Sequence, residues 1–256
     1  VVKVTDFGAT LVSVLFADKD GVMKDMVLGY DDAASYEKGT SCFGATIGRN
    51  GNRIKDARFT IDGKEWVIEA NENNNSLHSG KNGFNHLMWE MKESGDNYVT
   101  FYHYSPQEEQ GFPGNMHVTV TYTLDDEDTV HITYHAKADA DTVMNFTNHS
   151  YFNLAGHDSG VMLDQKLQLF ADAYTPDEDS HSIPTGEIAP VAGTPMDFTT
   201  MKPIGQDINA DFEQLHFTGG YDHNYVLSDK PGMMRQMAKA ECDASGIAMD
   251  AYTECC

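Results

Sequence analysis

Apolar and polar residues alternate with a period of two along much of this chain, the pattern of strands with one buried and one solvated face. In "MHVTVTYTL" (116–124), Met116, Val118, Val120, Tyr122 and Leu124 fall on one side, and His117, Thr119, Thr121 and Thr123 on the other. After the acidic turn "DDED", "TVHITYHAKA" repeats the alternation with Val130, Ile132, Tyr134 and Ala136. The two segments predict an antiparallel hairpin, with His117, His131 and His135 on its polar face. A second hairpin is predicted in "RFTIDGKEWVI", where Asp62-Gly63 has the chemistry of a two-residue turn. Pairing Ile61 with Lys64 then places Phe59 opposite Trp66. "TLVSVLF", "DMVLGY", "NYVTFYHY" and "KLQLFADAY" add further strands.

Helical periodicity is sparse. Ile204, Ile208, Phe212 and Leu215 recur at helical spacing and predict a helix over 203–215, and residues 31–38 predict a short helical turn. Many strands, turns rich in Gly, Asn and Asp, and few helices predict an all-β chain. Its expected architecture is one large antiparallel β-sandwich. No linker or repeat divides residues 1–256, so a single domain is expected.

Composition narrows the partners. The chain has 256 residues, 40 acidic and 17 basic side chains and a net charge of −23. That balance opposes binding to nucleic acid or to an anionic membrane surface. No apolar run reaches the length of a membrane span. The cysteines are Cys42, Cys242, Cys255 and Cys256; they form no C-x-x-C pattern and read as reduced thiols in a cytoplasmic protein.

Five polar segments interrupt the strand pattern. They are "IGRNGNRI" (47–54), "NNNSLHSGKNGFNHLMW" (73–89), "FTNHSYFNLAG" (146–156), "IPTGEIAPVAGTPMDF" (183–198) and "GGYDHNYVL" (219–227). Buried amides and imidazoles are costly unless hydrogen-bonded, so each segment either satisfies its polar groups internally or lines a site for a polar ligand. Trp89, Tyr151 and Phe152 read as core residues. Glu187, Asp197 and His223 read as structural.

Together these segments, in order along essentially the whole chain, resemble the aldose 1-epimerase (galactose mutarotase) family. "NHSYFNLAG" and "PTGEIAPVAGTPMDF" carry the resemblance most specifically, and "YDHNYVL" supports it. The resemblance implies the galactose mutarotase-like supersandwich and an isomerase that interconverts the α and β anomers of hexoses such as galactose or glucose. It implies His149 as general acid and His78 as a second active-site histidine. Asn52, Arg53 and Asp222 are implied as hydroxyl-binding residues, while Asn148 and Asn153 hold local backbone. Neither cofactor nor metal is expected, the partner is a small-molecule aldose, and the protein is expected to be a monomer or homodimer. "VVKVTDFGATLVSV" matches an interior segment of the family, and "GIAMDAYTECC" matches the strand before a Gly-x-Gln stretch and a late glutamate base. The chain therefore reads as incomplete at both ends, with the general base expected beyond residue 256. Glu241, Asp250 and Glu254 are not assigned to that role.

Three other readings compete. A non-catalytic carbohydrate-binding sandwich has no need of paired imidazoles beside Arg53. A hexose-phosphate epimerase of similar fold calls for extra cations, for which Arg49, Arg53 and Lys81 are the candidates. A cupin-type metal enzyme needs a His-x-His cluster with nearby Glu and His, which the chain lacks.

Overall fold

The structure is a computed structural model and describes residues 1–227 and 232–254. Its named strands pair antiparallel, and its helices are short. The chain divides into two compact units, residues 1–15 with 27–152, and residues 16–26 with 153–256.

The first unit is organised by a four-stranded sheet ordered Val130–Ala138, Met116–Leu124, Tyr98–Ser105, Glu90–Ser94. The alternation in the central pair does what it predicts. Met116, Val118 and Val120 are fully buried and Tyr122 nearly so, while His117, His131 and His135 face solvent. The partners are in register from Met116↔Ala138 to Leu124↔Val130. The second hairpin forms as its turn dictates, with Ile61↔Lys64 and Phe59↔Trp66 paired. Asp62 and Gly63 both take left-handed φ, 49° and 77°, as a tight turn between twisted strands requires. The turn of helix expected at 31–38 spans Ala33–Lys38, capped by the Asp32 carboxylate accepting from the Ser35 N–H at 2.8 Å.

The second unit contains a four-stranded sheet ordered Lys202–Pro203, Lys166–Leu169, Arg235–Cys242, Ile247–Thr253. A three-stranded sheet is ordered Ala189–Pro190, Ala171–Tyr174, Tyr225–Leu227. Tyr174, Val191, Met196 and Leu215 form a buried cluster here.

Three predicted elements differ. The helix expected over 203–215 is a 3-10 turn at Ile204–Gln206 followed by a six-residue helix, Glu213–Thr218. Between them Phe212 is extended (φ −137°, ψ 122°), and its ring packs on the Tyr174 cluster. The apolar spacing thus reflects loop packing and not one helical face. "KLQLFADAY" breaks at Phe170 because the chain passes from one sheet of the unit to the other there. "DMVLGY" is not one strand. Met23–Asp25 is a short strand, and Val27 makes a single bridge to Phe152.

Candidate active site

His149 sits where a two-residue strand, Thr147–Asn148, pairs with Thr46–Ile47. Its N–H donates to the Ala45 carbonyl at 2.9 Å, and its own carbonyl accepts from the Gly44 N–H at 3.0 Å. Both sides of the His149 backbone are thereby fixed. Asn148 locks the same turn: its amide donates to the Gly44 carbonyl at 2.8 Å and to the Tyr122 hydroxyl at 3.2 Å. Its carbonyl accepts from the Ser150 N–H at 3.1 Å. Position 44 demands glycine, since it has a φ of +64° and an added Cβ would lie 1.9 Å from the Leu11 carbonyl oxygen. In the second unit, Asn153 is nearly buried and equally well satisfied. Its carbonyl accepts from Gln165 Nε2 at 2.6 Å, and its amide donates to Gly160 O at 3.1 Å. The two asparagines of "NHSYFN" hold backbone, as the sequence suggested.

His78 follows the short strand Ser76–Leu77, which pairs with Arg53–Ile54. It and Ser79 take consecutive left-handed conformations, φ 53° and 69°, uncommon for residues with side chains. Three interactions hold that bend. The His78 N–H donates to Asn52 O at 3.0 Å. Ser79 Oγ accepts the Asn50 N–H at 2.8 Å. Asn71 clasps Leu77, with Oδ1 accepting its N–H at 2.7 Å and Nδ2 donating to its carbonyl at 3.0 Å. Asn52 is also left-handed (φ 63°), with its side-chain carbonyl accepting the Arg53 N–H at 2.8 Å.

These two turns bring the imidazoles of His78 and His149 together, edge to face, with ring centroids 5.1 Å apart and planes at 87°. The protonation of His78 is constrained. The Asn52 N–H donates to His78 Nδ1 at 3.0 Å, so the proton of neutral His78 resides on Nε2. Burial, reinforced by His149 and Arg53 and opposed by Glu72, pushes the His78 pKa down to about 4. At neutral pH His78 is therefore an uncharged donor through Nε2.

Arg53 lies beside them. Its Nε donates to Glu72 Oε2 at 2.5 Å and its Nη2 to Glu72 Oε1 at 2.9 Å, a side-on fork, while Nη1 lies 3.5 Å from Asn52 Oδ1. Thus Asn52, Arg53, His78 and His149 gather in the first unit. Asp222 belongs to the second unit, where it is exposed ahead of the strand Tyr225–Leu227. The segments 183–198 and 219–227 also meet in that unit: Tyr221 and Tyr225 hydroxyls donate to Pro195 O and Met196 O, each at 3.1 Å. His223 is structural, its side chain fully buried and its Nε2 3.1 Å from Gln214 Oε1. Asp197 caps a turn, accepting the Thr199 N–H at 3.0 Å.

Two side chains depart from their expected places. Arg49, a candidate cation for a phosphate, is wholly buried and donates to Ser105 Oγ and to the carbonyls of Ser105, Pro106 and Pro113, at 2.8–3.0 Å. Lys81 remains exposed. Tyr151, expected in the core, is 45% exposed, with its ring centroid 5.1 Å from that of His149. Trp89 is buried as expected. Glu72 and Asn71 were not legible as site residues. Both lie in an asparagine-rich turn whose sequence gives no partner for Arg53, nineteen positions earlier.

The family model for aldose 1-epimerase matches residues 1–256. The chain belongs to the aldose 1-epimerase family. It is 39% identical over 252 residues to the galactose mutarotase of Rattus norvegicus, covering 98% of this chain and 71% of that protein. It is 39% identical over 230 residues to the aldose 1-epimerase of Escherichia coli K12, covering 90% of this chain and 66% of that protein. Among solved structures, a GalM/aldose epimerase homologue from C. elegans superposes with a TM-score of 0.84 at 29% identity, covering 97% of this chain and 74% of that one. A galactose 1-epimerase from Lactobacillus acidophilus gives 0.82, with 94% and 69% covered. The all-β fold is that of this epimerase family.

Proposed function

We propose that this aldose 1-epimerase family member interconverts hexose anomers with His149 as general acid at the ring oxygen. Mutarotation requires that the C1–O5 bond break with its electron pair going to O5. A base takes the proton of the C1 hydroxyl as C1 becomes an aldehyde carbon, and an acid delivers a proton to O5. Rotation about C1–C2 and the reverse steps give the other anomer. Neutral His78, with its proton on Nε2, serves as a hydrogen-bond donor to an oxygen at the reacting end of the sugar. Its lowered basicity disfavours competition for the proton that His149 transfers. Asn52 and Arg53 hold ring hydroxyls, while Asp222, in the second unit, keeps its hydroxyl-binding role on the family resemblance alone. The base is not assigned to any residue of this chain.

The observation that supports this reading most directly is the edge-to-face pair of imidazoles, one of them pinned by a backbone N–H and held neutral. Burial of Arg49 weighs against a phosphate-carrying substrate, because it removes one of three candidate cations. The reading is tested by polarimetry on freshly dissolved α-galactose and α-glucose with the purified protein. Relaxation toward the equilibrium rotation far faster than in buffer is expected. A rate equal to that of buffer, with the protein folded, overturns the proposal.

A further inference from the structure

Arginine beside a sugar site is also an anion trap. Its guanidinium binds phosphate and carboxylate as readily as hydroxyl pairs, and more strongly. In this chain Glu72 occupies the edge of Arg53 formed by Nε and Nη2, with both carboxylate oxygens engaged at 2.5 and 2.9 Å. The pair is partly sheltered, the side chains being 16% and 31% exposed. Two consequences follow from guanidinium geometry. Nη1 makes one long contact, 3.5 Å to Asn52 Oδ1, and the end edge, made of the other N–H of Nη1 and one from Nη2, is a second fork matched in geometry to two adjacent hydroxyl oxygens of a sugar. The charge of Arg53 is meanwhile offset at short range by a carboxylate.

We infer that Glu72 is a specificity-determining and positioning residue: it aims Arg53 at a vicinal diol and makes the site reject anionic sugars in favour of neutral hexoses. The inference rests on the reading of this site as a mutarotase centre and adds the substrate class it selects. Glu72 acts through Arg53 and need not touch the sugar. A neutral sugar gains hydrogen bonds from the aimed fork. A uronic acid or hexose phosphate meets a site whose one nearby guanidinium is already paired and whose His78 carries no charge. Loss of the Glu72 carboxylate frees the Nε–Nη2 edge and uncovers the positive charge, which creates an anion site where none was favoured.

The test uses Glu72→Gln in the whole protein, with near-UV circular dichroism and thermal unfolding as controls for folding. For galactose, KM is expected to rise roughly tenfold with a much smaller change in kcat, since Arg53 binds ground and transition states alike. For galacturonate the change is opposite in sign. The ratio of kcat/KM for galacturonate to that for galactose is expected to rise at least about tenfold. Inorganic phosphate, without effect on the wild type at low millimolar concentration, should become a competitive inhibitor, and added salt should weaken that inhibition. Glu72→Asp keeps the charge and should keep the discrimination even where its KM changes. A purely structural role would lower thermal stability and leave the galacturonate ratio and phosphate sensitivity where they were. That result overturns the inference. Should Glu72→Gln not fold, Glu72→Ser is read by the same ratio. A folded wild type that turns over no sugar retires the mutarotase reading itself. An active wild type with an unmoved ratio in the variant retires only the role of Glu72.

Discussion

His78 and His149 share one site and differ in what their surroundings allow. The Asn52 N–H fixes the lone pair of His78 at Nδ1, and burial with two neighbouring cationic or ionisable groups opposes its protonation. Its pKa of about 4 lies below the ordinary histidine value of 6.5. The unfolded chain therefore binds more protons than the folded one between those pH values. The contribution of His78 to stability is complete above about pH 6.5 and is lost as pH falls toward 4. A titration followed by imidazole NMR should find His78 neutral, with its proton on Nε2, down to about pH 5. Titration of His78 near 6.5 would contradict the assigned environment. His78→Gln should flatten the acid side of the stability profile over the same interval. The motif around His78 marked it as a site residue, but the residues that constrain it were invisible. The N–H that locks its tautomer belongs to backbone twenty-six positions away. The carboxylate facing Arg53 stands in a run of asparagines with no strand pattern of its own.

Among elements, the legible ones were those whose local signal and tertiary role agree. Asp62-Gly63 specifies a turn, and the strand register on either side follows from it, so Phe59 meets Trp66 as expected. The strands Met116–Leu124 and Val130–Ala138 place every second residue inward because only one face of their sheet is covered. That asymmetry is measurable. Met116→Ala, at a fully buried position, should cost about 2–5 kcal/mol, whereas Thr133→Ala, on the exposed face, should stay within about 0.5 kcal/mol. Chemical denaturation of both variants checks the pair; equal effects would mean the two faces are not distinguished as described. Where the signals disagree, the sequence misled. Ile204, Ile208, Phe212 and Leu215 recur like a helix, yet Phe212 is extended and packs against the cluster of Tyr174, Val191, Met196 and Leu215. Tyr151 reads as core from its apolar neighbours, yet it projects beside His149, a position set by the turn that Asn148 holds. The short two-residue ladders that fix both histidines, Arg53–Ile54 with Ser76–Leu77 and Thr46–Ile47 with Thr147–Asn148, are below the length at which alternation can be seen at all.

Taken as a molecule, the chain carries a net charge of −23, and the arginine at the site, Arg53, is already engaged by Glu72, while Arg49 is buried away from it among the carbonyls of Ser105, Pro106 and Pro113. The chemistry proposed needs proton donors and acceptors and no Lewis acid. Among the described residues no three His, Cys, Asp or Glu side chains are grouped to hold a metal ion. Exhaustive dialysis against a chelator should accordingly leave the mutarotation rate of the whole protein unchanged. Loss of rate with recovery on adding Zn²⁺ or Mn²⁺ would require a metal step instead. Family and fold were readable because their signatures span the whole length of the chain, as the match over residues 1–256 shows. The measurement that bears most directly on the central claim is the mutarotation rate of His149→Asn in the whole protein. Its fold is verified by near-UV circular dichroism, and the rate is followed by polarimetry on α-galactose. Loss of a general acid should slow catalysis about 10²–10⁴-fold with the fold intact, and a folded variant that matches the wild type would remove His149 from the proton transfer.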